Sequence, residues 1–589
     1  MSEAGARIRA VLHIVSGSEN GVQVVSVGGG DDDGTNADRT TIRVPKLVDA
    51  VQIVGDSAAR WVWSDTAAWY PQLLEAGIRV ERCVDLRLAH AILKRSALTA
   101  DSELARATPD RWDSTAEFPA AEPAAFPDAP ALFEIESSET DEDATGEPSG
   151  SEMAGADPGV ELERQEAAIR SSREPGRLRL LIAAESAGAL IAAEMRHAGL
   201  PWRKDVHEGV LEELLGPRPE RGERPAALES LAGRVRSELG DSRLNPDSPA
   251  EVLRALHRAG LSVATTRSWE LKKVDHPAIP PLLEYKKLSR LLSANGWFWI
   301  DAWVHDGRFH PDYVPGGVVS GRWATRGGGA LQLPKQLRRA VVADDGWKLV
   351  VADAAQLEPR ILAGLSADEA MATAGRGTDL YQGIVDSGAV ETRAQAKVAM
   401  LGAMYGSTTG ESALLMPRLA RAYPRAIRFV ENAARTGERG DIVTSRLGRS
   451  SPRPGETWSE VQGLASSPDA TSADERRARS QAREWGRFTR NFVVQASAAE
   501  WALCWMAELR RRLADLAEQR GYRRLQAAPH LVYFLHDEII VHSPARDAEA
   551  VREHVVDSAH AAGRLLFGAF PVEFPVIAAV VDDYGQAKG

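Results

Sequence analysis

The chain has 589 residues, 44% apolar and 26% charged, enough for three or four globular units with their own cores. Two cysteines, Cys83 and Cys504, exclude a disulfide framework and a cysteine-based zinc site and point to a reducing cytoplasm. No apolar run approaches the roughly 20 residues of a membrane helix, and Ala10–Val15 is too short for a secretory signal.

The net charge of −12 weighs against a nucleic-acid partner until its placement is considered. Residues 117–163 hold 14 acidic residues and no Lys or Arg, so the rest of the chain carries +2.

In chain order, β-like runs at Ala10–Val15, Val22–Val27 and Trp61–Trp63 and an amphipathic helix near Asp85–Lys94 predict a small α/β domain over residues 8–110. A Gly- and Asp-rich loop is expected at Gly28–Asn36. The acidic segment 117–163, with Pro119, Pro123, Pro127, Pro130, Pro148 and Pro158, is too polar to order itself and reads as a flexible insert. Its apolar patch Leu132–Ile135 is a candidate docking motif for a protein partner, with a solvated linker as the plainer reading. A long helix over Arg177–Arg196, stopped at Gly199-Leu200-Pro201, opens a helical region reaching about Asn295. Strands and helices mix from Trp297 onward, and no internal repeat is evident.

Three clusters in the C-terminal half carry chemistry. The apolar run from Lys348 ends in Asp353 and leads into a helix with Glu358, Pro359 and Arg360. Taken alone, Asp353 suits a helix cap as well as a metal ligand. The run His530–His542 reads as a hairpin presenting Asp537 and Glu538 at its turn. Two strand-tip aspartates suggest a divalent-metal pair, since Mg²⁺ uses one or two carboxylates plus substrate phosphates. Arg393, Lys397, Leu401 and Tyr405 recur every fourth residue, a helical stripe of two cations, an apolar residue and an aromatic. Such a stripe can grip a triphosphate and stack on a base, or simply be a solvated face with a packed tyrosine.

Together the clusters resemble motifs A, B and C of the family A DNA polymerases, the bacterial DNA polymerase I type. Ser320-Gly321-Arg322-Trp323 with Leu331-Gln332-Leu333-Pro334 resembles another segment of that family, and Arg487, Asn491 and Gln495 match its primer–template helix. Asn245–Pro249 and Leu282–Leu288 resemble its thumb. The resemblance covers about residues 180–589.

It implies an α/β multidomain fold: a right-hand polymerase of palm, fingers and thumb, preceded by an RNase H-like exonuclease-type α/β domain. The expected divisions are 1–116 with 164–178 for that domain, 117–163 for the acidic insert and 179–295 for the thumb. The palm is expected at 296–360 with 487–589, and the fingers at 361–486. It further implies addition of dNTPs to a primer 3′ end by two-metal nucleotidyl transfer. Asp353 and Asp537 hold two Mg²⁺ roughly 3.5–4 Å apart, with Mn²⁺ as a substitute and Glu538 as a secondary carboxylate. Arg393 and Lys397 neutralise the triphosphate, with Tyr381 and Gln356 nearby. Tyr405 lies at the nascent base pair and Glu358 is the gate against a ribose 2′-hydroxyl. Arg322, Gln332, Arg487, Asn491, Gln495 and His536 contact primer–template DNA. Residues 313–343, with five basic and no acidic residues, fit a DNA-facing strip.

The chain departs from the family at Ala354 and Ala355, where Tyr-Ser is usual, at Leu401, where an aromatic is usual, and at Tyr381, where His is usual. The fingers also look shortened between Tyr405 and Arg425. In the N-terminal domain the Asp-x-Glu pair expected on the first strand is missing, the first aspartate being Asp31. Asp85 reads as a helix cap, and an exonuclease-like fold without proofreading is expected. The resemblance places the protein as a monomer in the bacterial cytoplasm and nucleoid, in repair or gap filling. The alternative is a catalytically silent DNA-binding relative, and the acidic insert is a candidate DNA mimic.

Overall fold

The computed structural model describes residues 11–18, 21–28, 39–54, 59–114, 157–220, 222–377, 379–406 and 410–588. Most of the predicted Gly28–Asn36 loop, the acidic stretch up to residue 156 and the Leu132–Ile135 patch lie outside the described residues.

β1 (Leu12–Ser18) and β2 (Gly21–Val27) form an antiparallel hairpin in which His13, Val15, Val22 and Val24 are buried, the period-2 pattern of a sheet with one covered face. β3 (Arg39–Val44) adds antiparallel to β2, while β4 (Arg60–Trp63) and β5 (Arg82–Asp85) add in parallel on the other side. The order is β3-β2-β1-β4-β5, an RNase H-like sheet. β5 ends in Asp85, whose carboxylate caps α1 (Leu86–Arg95) by accepting from Leu88 N at 3.0 Å and also accepts from Thr66 N at 2.8 Å.

The acidic insert is shorter than charge counting implied. Residues 158–163, expected to be flexible, form the first turns of α2 (Pro158–Ser171), capped by Asp157. The reason is a buried stripe at Glu161, Gln165, Ala168 and Ile169, a helical spacing that packs against α1. α3 (Pro175–Ala198) runs two residues beyond the predicted helix at each end and stops at Gly199. The domain boundary expected at 178/179 falls inside it. α3 is buried on several sides because it packs at once on β5, on the long helix described below and on the palm sheet.

The thumb helices follow, ending in α4 (Ile279–Asn295). Ser248 caps Pro249–Arg258, and Tyr285 of α4 donates to Asp247 at 2.7 Å, joining the two thumb-like segments. The palm sheet comprises β6 (Trp347–Ala354), β7 (His530–Leu535), β8 (Glu538–Pro544) and β9 (Val576–Val581), all antiparallel in the order β7-β8-β6-β9. β8, between β7 and β6, is buried from Glu538 to Ser543, so it is covered on both faces.

Between β6 and β7 lie α5 (Leu357–Ser366), α6 (Leu380–Asp386), α7 (Arg393–Tyr405), α8 (Gly410–Ala422), α9 (Pro424–Glu438) and the 48-residue α10 (Ser472–Gln519). α11 (Ala548–Phe567) packs on α10 and on the palm sheet. The boundary expected at 486/487 also falls inside a helix, since α10 packs first on α9 and then on α3 and α11 without a break.

Midway along α10, Glu500 is buried and accepts from Leu447 N at 2.9 Å and from Ser445 Oγ. Burial pushes its carboxyl up to about 7. A carboxyl raised on folding supports the fold below its unfolded value and loses that support as pH rises through the folded one. The fall in stability between pH 5 and pH 8 should therefore be smaller in Glu500→Gln, by up to about 3 kcal/mol, as read by urea titration at both pH values.

Candidate active site

β6 and β8 are neighbours, and their register sets Asp353 opposite Glu538, so both side chains project from one face of the sheet. Ala354 N donates to the carbonyl of Asp537 at 3.0 Å, tying the end of β6 to the β7–β8 turn. At that turn His536 is exposed and adopts φ 59°, a conformation tolerated in a tight turn. Asp353 and Asp537 thus meet at one edge of the sheet, half-buried. Burial above all, and then the negative Asp353 and Glu358, push the Asp537 carboxyl up to about 7 against the opposing pull of Arg322.

Glu538 begins β8 rather than sharing the turn, and it is buried. Arg338 reaches its Oε2 at 3.5 Å and stacks its guanidinium 4.4 Å over the Tyr584 ring, and the charge of Glu538 acts on the Tyr584 hydroxyl. Asp353, Asp537 and Glu538 do not form a three-ligand group of metal-binding geometry; among the described residues the group that does is His90, Asp110 and Asp113.

Glu358, in the first turn of α5, gathers residues from three other segments. Arg322 pairs with its Oε1, and Tyr405 Oη donates to its Oε2 at 3.0 Å. Gln495 of α10 lies beside the Tyr405 hydroxyl. Burial first, and then Glu358, hold the Tyr405 hydroxyl far above its usual range.

Thr392 caps α7 by accepting from Gln395 N at 3.2 Å, which starts the helix at Arg393. Arg393 donates to Asp379 at 2.7 Å and lies 5.6 Å over the Tyr381 ring. Tyr381 is buried, and its hydroxyl is pushed up to about 12 by burial first, then by Glu358, with Arg393 pulling the other way and Asp537 contributing. Tyr381 thus lies under Arg393 of α7 and within the field of the carboxylates Glu358 and Asp537. Lys397, one turn beyond Arg393, is half-buried and makes no ion pair with any described residue. Leu401, the next in the stripe, packs against the core.

Gln356 is turned toward backbone, its Oε1 accepting from Leu380 N at 3.0 Å, so its expected nucleotide contact is not prepared in this arrangement. Arg487 lies against Gly406, where a Cβ would meet its Cγ at 3.0 Å and where φ is +74°, so both space and backbone favour glycine after α7. Asn491 is buried with its Oδ1 lacking a hydrogen-bond partner among the described residues. The side chain of Gln332 lies outside the described residues.

Four residues went unread in the sequence. Arg338 sits in the basic 313–343 strip but was not separated from its neighbours. Asp379 precedes a helix, accepting from Tyr381 N and Gln382 N, a capping signal that could have drawn attention to it. Arg490 donates to Ala403 O at 2.5 Å, and neither it nor Tyr584 carries a local signal.

Residues 223–583 match the family described as DNA polymerase family A. The thermostable DNA polymerase I of Thermus thermophilus is 25% identical over 333 residues, covering 51% of this chain and 35% of that protein. The DNA polymerase I of Chloroflexus aurantiacus is 26% identical over 338 residues, 52% of this chain and 32% of its own. The thermostable enzyme of Thermus aquaticus is 26% identical over 346 residues, 53% and 37%. The matched region thus spans about a third of the length of these relatives. The POL domain of Pol1 from M. smegmatis, solved with DNA primer-template and dNTP, has a similar fold, with a TM-score of 0.67 at 17% identity over 98% of this chain and 96% of that one.

Proposed function

Because the chain belongs to DNA polymerase family A, we propose that it is a template-directed DNA polymerase that extends a primer 3′ end with dNTPs, in gap filling or repair. The observation that carries this reading is the convergence of Asp353 and Asp537 at the adjoining ends of β6 and the β7–β8 turn, with Tyr381, under Arg393, within the field of Asp537. Two half-buried carboxylates, one of them raised by burial first and then by the other's charge, are a donor set that suits divalent cations, which fits Mg²⁺ or Mn²⁺ bound by Asp353 and Asp537. Such ions, when bound, activate the primer hydroxyl and neutralise the charge of the transferring phosphoryl group.

The chain's own residues do the rest. Arg393 and Lys397 bind the triphosphate, Arg393 exchanging Asp379 for phosphate oxygens. Glu358, held by Arg322 and Tyr405, crowds the sugar 2′ position, and Tyr405 borders the base pair. Arg322, Arg487, Asn491, Gln495, Gln332 and His536 contact the primer–template, and Glu538 is anchored by Arg338.

The N-terminal domain is proposed to lack proofreading. β1 carries no carboxylate between Leu12 and Ser18, and Asp85 is committed to capping α1. No described helix is long and apolar enough to cross a membrane.

Primer extension with Mg²⁺ tests the reading: the wild-type chain should add dNTPs to a recessed 3′ end, and a chain that binds DNA but never extends it would leave only a structural role. Glu358→Ala should raise ribonucleotide incorporation by about tenfold or more, measured as the ratio of dNTP to NTP efficiencies. Unchanged selectivity would remove Glu358 as the gate. A primer with a 3′ mismatch, incubated without dNTPs, should remain full length; shortening that is lost in an N-terminal carboxylate variant would restore proofreading to the chain.

A further inference from the structure

A polar cluster in the N-terminal domain takes no part in the site above. His90, on α1, is 1% exposed, and its Nδ1 lies 2.8 Å from Oε1 of Glu161 on α2, a residue equally buried. Glu161 also accepts from Gln165 Nε2 at 2.7 Å and from Arg164 Nη1 at 2.9 Å. With two other donors converging on it, the carboxylate is placed to accept, which favours the tautomer in which His90 Nδ1 carries the proton it shares with Glu161. In that tautomer Nε2 is left with a lone pair to offer a ligand. That atom is buried without a hydrogen-bond partner among the described residues. It faces Oδ1 of Asp113 at 3.6 Å, beyond hydrogen-bond distance. Asp110 brings a second carboxylate, and one ligand atom from each of the three residues lies within 4.8 Å of the others.

We propose that His90 Nε2, Asp110 and Asp113 form a binding site for a divalent transition-metal ion of the Zn²⁺ class. An imidazole with two carboxylates suits such an ion better than the all-oxygen set Mg²⁺ prefers. The carboxylate behind the imidazole is the usual partner that fixes a metal-binding histidine's tautomer, here supplied by Glu161. The side chains of Asp110 and Asp113 are 36% and 24% exposed, which admits water as a further ligand. Arg164, 3.0 Å from Asp110, and Lys94, 3.9 Å from Asp113, limit the negative charge of the site and orient its carboxylates. The ligands precede the acidic segment, and Glu161 and Arg164 follow it. The ion would therefore clamp together the two chain ends from which that segment departs.

The test uses the full chain carrying Asp353→Asn and Asp537→Asn, stripped with EDTA, so that binding at the palm carboxylates does not contribute. Co²⁺ is titrated as the spectroscopic probe. One equivalent should bind with a visible ligand-field absorption, be displaced by Zn²⁺ and persist in excess Mg²⁺. Asp113→Asn should weaken binding at least tenfold, and Glu161→Gln should weaken it about 10- to 100-fold without changing the stoichiometry. His90→Gln should abolish it; because His90 is buried and that variant can fail to fold, Asp113→Asn, on a partly exposed residue, stands as the independent arm. Absence of saturable binding would overturn the proposal, as would binding indifferent to both Asp113→Asn and Glu161→Gln. A His90 imidazole that stays doubly protonated in ¹⁵N NMR with Co²⁺ replaced by Zn²⁺ would also overturn it, leaving an imidazolium held between Glu161 and Asp113.

Discussion

Asp537→Asn is expected to lower the rate of primer extension by at least about 10³-fold, because it removes one of two charges on which metal binding and transition-state neutralisation depend. The substitution keeps the size of the side chain and leaves the Ala354–Asp537 backbone bond in place, along with the Arg322–Glu358 pair. Folding should be unaffected, since the carboxylate it removes is one that burial, Asp353 and Glu358 all disfavour. Single-turnover extension at saturating dNTP and DNA separates loss of chemistry from loss of binding: the rate should fall while the affinity for primer–template changes by no more than a few fold. Asp353→Ala should behave alike. Extension within tenfold of wild type in either variant would remove these two residues from the centre of the reaction.

The largest stability effect is expected at Glu194, far from that edge. Its carboxylate on α3 accepts from Arg510 of α10 at 2.6 Å, from Arg79 at 3.0 Å on each oxygen and from Tyr70 Oη at 2.8 Å. Arg510 also holds the carbonyl oxygens of Glu81 and Val80, so one buried cluster joins the N-terminal domain, α3 and α10. Burial opposes ionisation of Glu194, but Arg510 and then Arg79 overcome it and keep the carboxyl well below the usual glutamate range. Glu194→Ala leaves the nearly buried Arg510 without its counter-charge and should cost about 3–5 kcal/mol, read from the urea midpoint. The sign with pH follows from the depressed value: the contribution of Glu194 is complete above the ordinary glutamate pKa and is lost as pH falls below it. Wild type and Glu194→Ala should therefore converge in stability in acid, and a constant gap down to pH 3 would show that packing rather than charge ties the domains.

These two residues also mark how far the chain could be read in one dimension. Asp353 and Asp537 were legible because each ends an apolar run of strand length, and the α7 stripe because Arg393, Lys397, Leu401 and Tyr405 keep a helical spacing. Asp85 was legible as a cap for the same local reason. Glu194 gave no such sign, since its partners Arg79 and Arg510 lie 115 and 316 residues away. The charge count likewise concealed the start of α2, where Glu161 looked like one more solvated acid and is instead held inside by His90, Gln165 and Arg164.

The sequence by itself determined the kinds of elements and the chemistry at their ends, and with them the family, because periodicity, capping and turn preferences act over a few residues. It also determined that the acid of a −12 chain is gathered in one segment, leaving the remainder near neutrality. Only the tertiary structure decided which charges meet: that Glu358 is held by Arg322, 36 residues before it, and by Tyr405, 47 residues after it. It alone decided that α3 and α10 run unbroken through the expected domain boundaries. The physical reason is one of range. A helix or strand states which of its faces must be buried, whereas the partner that buries it, and the field a carboxylate feels there, are set by whichever distant segment the fold brings alongside.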